Sequence, residues 1–137
     1  MNEDRINVLN TTALAYVGDA VYEVVVREMV IERLPKDAGR AHHAAVKYVS
    51  AAGQAKAAKA MMAEGFLTED EERLLKRARN HRSMSRPQHA DPKDYKLATG
   101  FEALIGYLHL TGMKDRIGEI TAEAFRIIDG KEPGTGN

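Results

Sequence analysis

Apolar residues recur at helical spacing over the first part of the chain, which predicts a long helix there. Thr11 or Thr12 can cap its start, and Pro35 stops it after about Leu34. Residues 24–26 are three valines, a β-prone run that leaves a short strand as an alternative. Apolar side chains extend nearly all round the helix, which indicates a central position in the fold. Its main apolar face is predicted from Leu14, Val17, Val21, Val24 and Val25.

Two further helices follow, and capping residues mark their starts. Asp37 can cap an alanine-rich helix that ends near Gly65, and Gly53 within it allows a bend or close packing. The segment Thr68–Glu71 has the spacing of a capping box, in which each side chain accepts from a free backbone N–H of the other residue. This spacing predicts a helix that runs to about Asn80.

The last third of the chain predicts a loop and two more helices. His81–Ala90 is rich in Ser, Arg, His and Pro, so we expect a loop there. Asp91 and the proline after it form a helix start, and helices are expected over about Pro92–Leu110 and Met113–Ile128. No stretch shows sustained alternation of apolar and polar residues. The pattern therefore predicts an all-α domain.

Length and composition favour a single cytoplasmic domain. The 137 residues fit one core, so we expect a domain over residues 1–130 and a disordered tail over 131–137. The absence of cysteine excludes disulfides and thiolate metal sites. The N-terminus lacks the layout of a signal peptide, and charges such as Glu23 and Arg27 interrupt the apolar stretches. We expect a soluble protein with no membrane partner.

Charge is balanced overall but unevenly distributed. Twenty basic and twenty acidic side chains cancel, which by itself argues against a strongly basic nucleic-acid binder. Residues 64–72 nevertheless carry five acids and no base, whereas residues 73–93 carry seven bases and one acid. A solvated helix end would explain such a basic segment, because cations favour the C-terminal end of a helix. The alternative that we favour is contact with RNA phosphates. The candidate RNA-binding residues are Lys76, Arg77, Arg79, Asn80, Arg82 and Arg86.

A polar strip lies on the first predicted helix, where Asp19, Glu23 and Arg27 stand at positions i, i+4 and i+8. One interpretation is that Glu23 pairs with Arg27 while Asp19 faces water. The other is that Asp19 is a ligand for Mg²⁺, which prefers oxygen donors such as carboxylates. The residues alone leave both interpretations open.

A second acid, Glu102, lies on the polar strip of the helix predicted over residues 92–110. It shares that strip with Thr99, Gly106 and His109. Gly100 and Gly106 each disfavour a helix interior by about 1 kcal/mol relative to alanine, which indicates close approach of another backbone or a ligand. One acid on each of two core helices is the minimum needed to hold a divalent metal between them.

Two separated segments resemble the motifs of a known enzyme family. The segment Tyr16–Glu23 is similar to the ribonuclease III signature segment, and Thr99–Gly106 is similar to that family's second acidic motif. The order and spacing of both segments match. From about Asn10 to Ile128 the chain resembles Mini-ribonuclease III, the short branch without a double-stranded-RNA-binding domain.

This resemblance implies a ribonuclease III-like helical endonuclease domain, with Asp19 as the catalytic metal-binding aspartate and Glu102 as the metal-binding glutamate. It also implies Mg²⁺-dependent cleavage of double-stranded RNA by a homodimer that matures precursor large-subunit ribosomal RNA. Full-length ribonuclease III carries two further acids where this chain has Ala15 and Thr99. These departures keep open the alternative of a catalytically silent domain that binds duplex RNA or the ribosome.

Overall fold

The computed structural model describes residues 1–34, 38–81 and 91–131, and the regular structure within these ranges is entirely helical. The all-α prediction is confirmed. No helix in the described ranges is long and apolar enough to cross a membrane. The helices are α1 (Glu3–Asn7), α2 (Thr11–Arg33), α3 (Ala38–Val49), α4 (Ala51–Ala63), α5 (Glu69–Asn80), α6 (Pro92–Leu110) and α7 (Lys114–Ile128).

The start of the chain differs from the prediction in two details. Helix α1 was not predicted, and it buries only Ile6. The cap of α2 is Asn10, whose side-chain Oδ1 accepts from the backbone N–H of Ala13 at 2.8 Å. Asparagine is as good a cap as threonine, and the residue one position earlier takes the role. The predicted cap Asp37, residues 82–90 of the predicted loop and residues 132–137 of the predicted tail lie outside the described residues.

The predicted alanine-rich helix is two helices, α3 and α4, which meet at Ser50. The Ser50 hydroxyl accepts from the N–H of Gly53 at 3.1 Å and so caps α4. A Cβ at Gly53 would lie 2.1 Å from the backbone oxygen of Lys47, so only glycine permits this turn without rearrangement. The prediction of close packing at Gly53 is therefore confirmed, but the bend is a complete helix break.

The predicted capping box of α5 is present, and it also ties α5 to α7. Thr68 and Glu71 exchange the two expected hydrogen bonds, at 2.9 and 3.1 Å. Glu71 additionally accepts from Arg116 of α7 at 2.8 Å through each carboxylate oxygen. This bidentate contact, with Arg116 as the largest cause, holds the pKa of Glu71 below its usual range.

Helix α2 is central as predicted, but its predicted apolar face is buried only in part. Leu14 is buried and Val17, Val21 and Val25 are half-buried, whereas Val24 is 55% exposed. The most buried positions follow an i, i+4 stripe instead, because the contact with α6 lies at Gly18. The buried stripe is Leu14, Gly18, Tyr22, Val26 and Val30.

Helices α2 and α6 cross at two glycines with their backbones almost in contact. A Cβ at Gly18 would lie 1.7 Å from the backbone oxygen of Glu102, and a Cβ at Gly106 would lie 1.9 Å from that of Leu14. Helix α6 also packs against α4 and α5, and its Gly100 lies against the backbone oxygen of Leu75. The close approach predicted from Gly100 and Gly106 is confirmed.

The crossing predicts that Gly18→Ala lowers the free energy of unfolding by about 3 kcal/mol, because the new methyl group meets a backbone atom that cannot swing aside. Urea denaturation measures this loss. Gly118→Ala is the matched control, since Gly118 is an exposed position in α7 with nothing within 4 Å of an added Cβ. That change should raise stability by up to about 1 kcal/mol. A Gly18→Ala protein as stable as the wild type would contradict the close crossing.

Candidate active site

The two acids singled out in the sequence line the same cleft. Asp19 comes from α2 and Glu102 from α6, and the cleft between α2, α5 and α6 has a volume of about 230 Å³. The glycine crossing causes this juxtaposition, because Asp19 follows Gly18 directly and the Gly18 position abuts the backbone of Glu102 itself. Asp19 is exposed at the cleft, whereas Glu102 is half-buried.

The electrostatics of Glu102 show a carboxyl that lacks a compensating charge. The pKa of Glu102 is raised to about 8. Burial is the largest cause of this rise, and hydrogen bonding and charge repulsion from Asp19 add to it. A buried acid beside a second acid resists ionisation because each charge destabilises the other. The charge of Glu102 also contributes to raising the pKa of Tyr22, although burial is the main cause there.

Gln54 of α4 also contacts Glu102, and the sequence analysis missed it. Its Nε2 donates to Oε2 of Glu102 at 3.4 Å and to the backbone oxygen of Val49 at 3.0 Å. This donor partly opposes the rise in the Glu102 pKa. In the sequence, Gln54 stands out only as a single amide in an alanine-rich run. The spacing of residues does not link it to Glu102, which is 48 positions away.

The donor set fits a small divalent cation. Within the described part of the chain, no group of three or more His, Cys, Asp or Glu side chains converges, so a cation in this cleft would have the two carboxylates as its protein ligands. Mg²⁺ is commonly held by one or two carboxylates while water and substrate phosphate complete its shell. A cation between Asp19 and Glu102 would also remove the repulsion that raises the Glu102 pKa. Asp19 and Glu102 are thus the residues that would hold Mg²⁺.

Ala15 and Thr99, the positions where further acids were noted as missing, line the same cleft. Thr99 donates its hydroxyl to the backbone oxygen of Tyr95 at 2.9 Å, one turn earlier in α6. Ala15 is buried and has no polar side-chain atom. Neither position adds a charged donor to the acid pair.

The predicted basic residues separate onto different surfaces. Arg79 lines the cleft with the acids, and its Nε donates to Asn80 at 3.1 Å. Arg77 lines another cavity, beside α1 and α6. Lys76 is exposed and forms an ion pair with Glu72 at 3.2 Å. Arg82 and Arg86 lie outside the described residues.

The cleft lining also includes side chains that were not selected from the sequence, among them Lys96, His81 and Tyr16. Lys96 is an exposed cation on the same helix as Glu102. His109, which was placed on the Glu102 strip, is exposed and is not part of the cleft lining. Residues seven apart lie about 20° apart around a helix but roughly 10 Å apart along its axis. Sharing a face with Glu102 therefore does not bring His109 into the cleft.

The polar strip of α2 divides between the two interpretations given for it. Glu23 pairs with Arg27 at 3.2 Å, as the structural interpretation predicts. Asp19 does not merely face water, because it lines the cleft with Glu102.

The chain is similar to a protein-family model, to curated proteins and to a solved structure. The family model described as Ribonuclease III domain matches residues 12–113. A Mini-ribonuclease 3 from Enterococcus faecalis is 46% identical over 82% of this chain and 85% of that protein. A Mini-ribonuclease 3 from Brevibacillus brevis is 43% identical over 91% of this chain and 92% of that protein. A crystal structure of a Fusobacterium nucleatum protein superposes with a TM-score of 0.74 at 26% identity, over 82% of this chain and 90% of that one.

The raised pKa of Glu102 predicts a pH-dependent stability in the absence of metal. Between pH 4.5 and about 8 the folded protein keeps a proton on Glu102 that the unfolded chain releases. Stability contributed by that proton is therefore complete at low pH and is lost as pH rises through this window. Urea denaturation in a chelator should show this loss in the wild type, and Glu102→Gln should lack it and be the more stable protein above about pH 8. Parallel pH profiles for the two proteins would contradict the assigned environment of Glu102.

Proposed function

Because the chain contains a Ribonuclease III domain and belongs to the Mini-ribonuclease 3 family of ribonucleases, we propose that it is a Mg²⁺-dependent endonuclease that cuts double-stranded RNA. The observation that carries the proposal is the cleft in which Asp19 and Glu102 meet, with Arg79 and Lys96 on its walls. Two acids suit a metal, and the cations beside them suit the phosphate on which the metal would act.

The chain's own residues have distinct tasks in the proposed mechanism. Asp19 and Glu102 hold Mg²⁺, and Glu102 must give up its proton to do so at neutral pH. Arg79 and Lys96 neutralise phosphate charge at the cleft and align the RNA strand. Mg²⁺ held by these two residues would supply an acidified water and charge stabilisation for the departing 3′ oxygen. The products of such a displacement carry 5′-phosphate and 3′-hydroxyl ends.

The proposed RNA surface extends from Arg79 in the cleft to the other described candidates on α5, Lys76, Arg77 and Asn80, of which Arg77 lines another cavity. The candidates Arg82 and Arg86 lie outside the described residues. Duplex RNA is recognised largely by its shape, its phosphates and its 2′-hydroxyl groups, and such contacts need cations and amides more than base-reading pockets. Arg79 lies closest to the proposed chemistry because it shares the cleft with the acids.

We also propose that the protein acts as a homodimer paired through α2. Three large apolar side chains of this helix, Tyr16, Val24 and Ile31, are exposed. Exposed Val46 of α3 lines the same groove as Ile31, together with the Glu23–Arg27 ion pair. Exposed apolar side chains beside an ion pair are suited to pairing with a second copy of the chain. Since Asp19 lies on the same helix, pairing here would place two clefts on one RNA-binding surface.

The cellular substrate that we propose is the base-paired stem that brackets precursor large-subunit ribosomal RNA, cut in the cytoplasm during ribosome biogenesis. The family resemblance supports this assignment. A catalytically silent domain that grips duplex RNA or the ribosome is the alternative, and the uncharged Ala15 and Thr99 positions in the cleft favour it. Cleavage of duplex RNA by the purified protein separates the two.

Asp19→Asn should reduce cleavage of duplex RNA by at least a thousandfold, about the loss expected when a metal ligand of the reaction is removed. The change keeps the volume of the side chain, so the melting temperature and the mass by light scattering should match those of the wild type. Asp115→Asn is the matched control, because Asp115 is exposed on α7 and lies outside the cleft. Near-normal turnover of Asp19→Asn would remove Asp19 from the reaction.

The separation of Arg77 and Arg79 gives a sharp test of the RNA surface. Arg79→Ala should weaken duplex binding for all sequences and flatten the slope of log K against log salt by roughly one unit. Arg77→Ala, two residues away on the same helix, should do less because it lines another cavity. Binding measured over a range of salt concentrations in a chelator checks both. If the two variants bind alike, position in the cleft does not determine phosphate contact.

A further inference from the structure

Gln54 is a buried amide in a part of the core made of small apolar residues. It is 2% exposed, and its buried neighbours on α4 include Ala55, Ala57 and Ala58. A buried amide destabilises a fold unless hydrogen bonds replace those it made with water. An apolar side chain of the same length would therefore pack at this position with less loss.

The hydrogen bonds of Gln54 are one-sided. Both donated bonds leave Nε2, one to the backbone oxygen of Val49 and one to Oε2 of Glu102. The carbonyl atom Oε1 is buried and has no hydrogen-bond partner among the described residues. The amide group thus uses both of its N–H donors while its oxygen stays unpaired. This one-sided use indicates that the donors give Gln54 its role at this position.

The turn between α3 and α4 gives this donor a rigid base. Val49 is the last residue of α3, and its oxygen belongs to the set that a helix cannot satisfy internally. Ser50 and Gly53 fix the turn on either side through the cap and the close contact with Lys47. The Gln54 side chain thus runs from a fixed turn to one oxygen of the Glu102 carboxylate.

We propose that Gln54 is a positioning residue for the metal centre, which holds the Glu102 carboxylate in the orientation needed to bind a divalent cation together with Asp19. The inference rests on the proposed function, since it assigns Gln54 to the same acid pair. Outer partners that orient a ligating carboxylate commonly change metal affinity by about 10- to 100-fold when they are removed.

The test measures binding of Mn²⁺ to the full chain without RNA, by electron paramagnetic resonance, together with the melting temperature in a chelator. Gln54→Met removes the donor at nearly constant length. We expect its Mn²⁺ affinity to fall about tenfold or more, because the donor to Glu102 is gone. Its melting temperature should change little, because removal of the unpaired acceptor offsets the lost bond to Val49. Met61→Leu is the matched control, since it changes another fully buried side chain of α4 and should leave Mn²⁺ affinity unchanged.

The other outcomes distinguish failure of the Gln54 proposal from failure of the proposed function. Wild-type Mn²⁺ affinity in Gln54→Met would show that the donor does not position Glu102. A fall of melting temperature and affinity together, in Gln54→Met and Gln54→Leu alike, would assign the amide to the fold instead. If the wild type binds no Mn²⁺, the proposed metal centre fails and the role of Gln54 fails with it. If the wild type binds Mn²⁺ but does not cut duplex RNA, the proposed function alone fails.

Discussion

The contact between the backbones of α2 and α6 is the constraint on which the rest of the structure depends. Gly18 and Gly106 each occupy a position where a Cβ would overlap a backbone oxygen of the other helix. Because the helices approach this closely, Asp19 on one and Glu102 on the other line one cleft without any loop to carry them. Acids on rigid helices are held in more precise positions than acids on loops. Such precision would suit the binding of a small cation. Helix α6 then packs against α4 and α5, which bring Gln54 and Arg79 to the same place.

Two polar groups at the cleft destabilise the folded state. Glu102 is a buried acid beside another acid, and its pKa of about 8 records that conflict. Gln54 adds a buried carbonyl oxygen with no partner in the described part of the chain. By contrast, the buried acid Glu71 is matched by Arg116, which donates to both of its carboxylate oxygens. Unmatched buried polar groups that gather at one cleft are typical of a functional site.

The sequence predicted the features that depend on neighbours along one helix. The capping box at Thr68, the start of α6 at Asp91 and the close approach at Gly106 all follow from local chemistry or local spacing. It predicted the buried side of α2 only in part, because the closest contact there is made by Gly18, which gives no hydrophobic signal. The helix break at Ser50 was missed for a similar reason, since alanines continue on both sides of it. Gln54 and the separation of Arg77 from Arg79 depend on how distant helices pack, which no periodicity encodes.

Crystals grown with Mn²⁺ test most directly whether the glycine crossing assembles a two-carboxylate site for a divalent cation. Anomalous scattering locates the ion without reference to any assumed site. We expect a peak between Asp19 and Glu102, at roughly 2.1 Å from an oxygen of each carboxylate. Water or RNA phosphate would complete the shell. An ion bound elsewhere, with the two carboxylates left without metal at saturating Mn²⁺, would contradict this assignment.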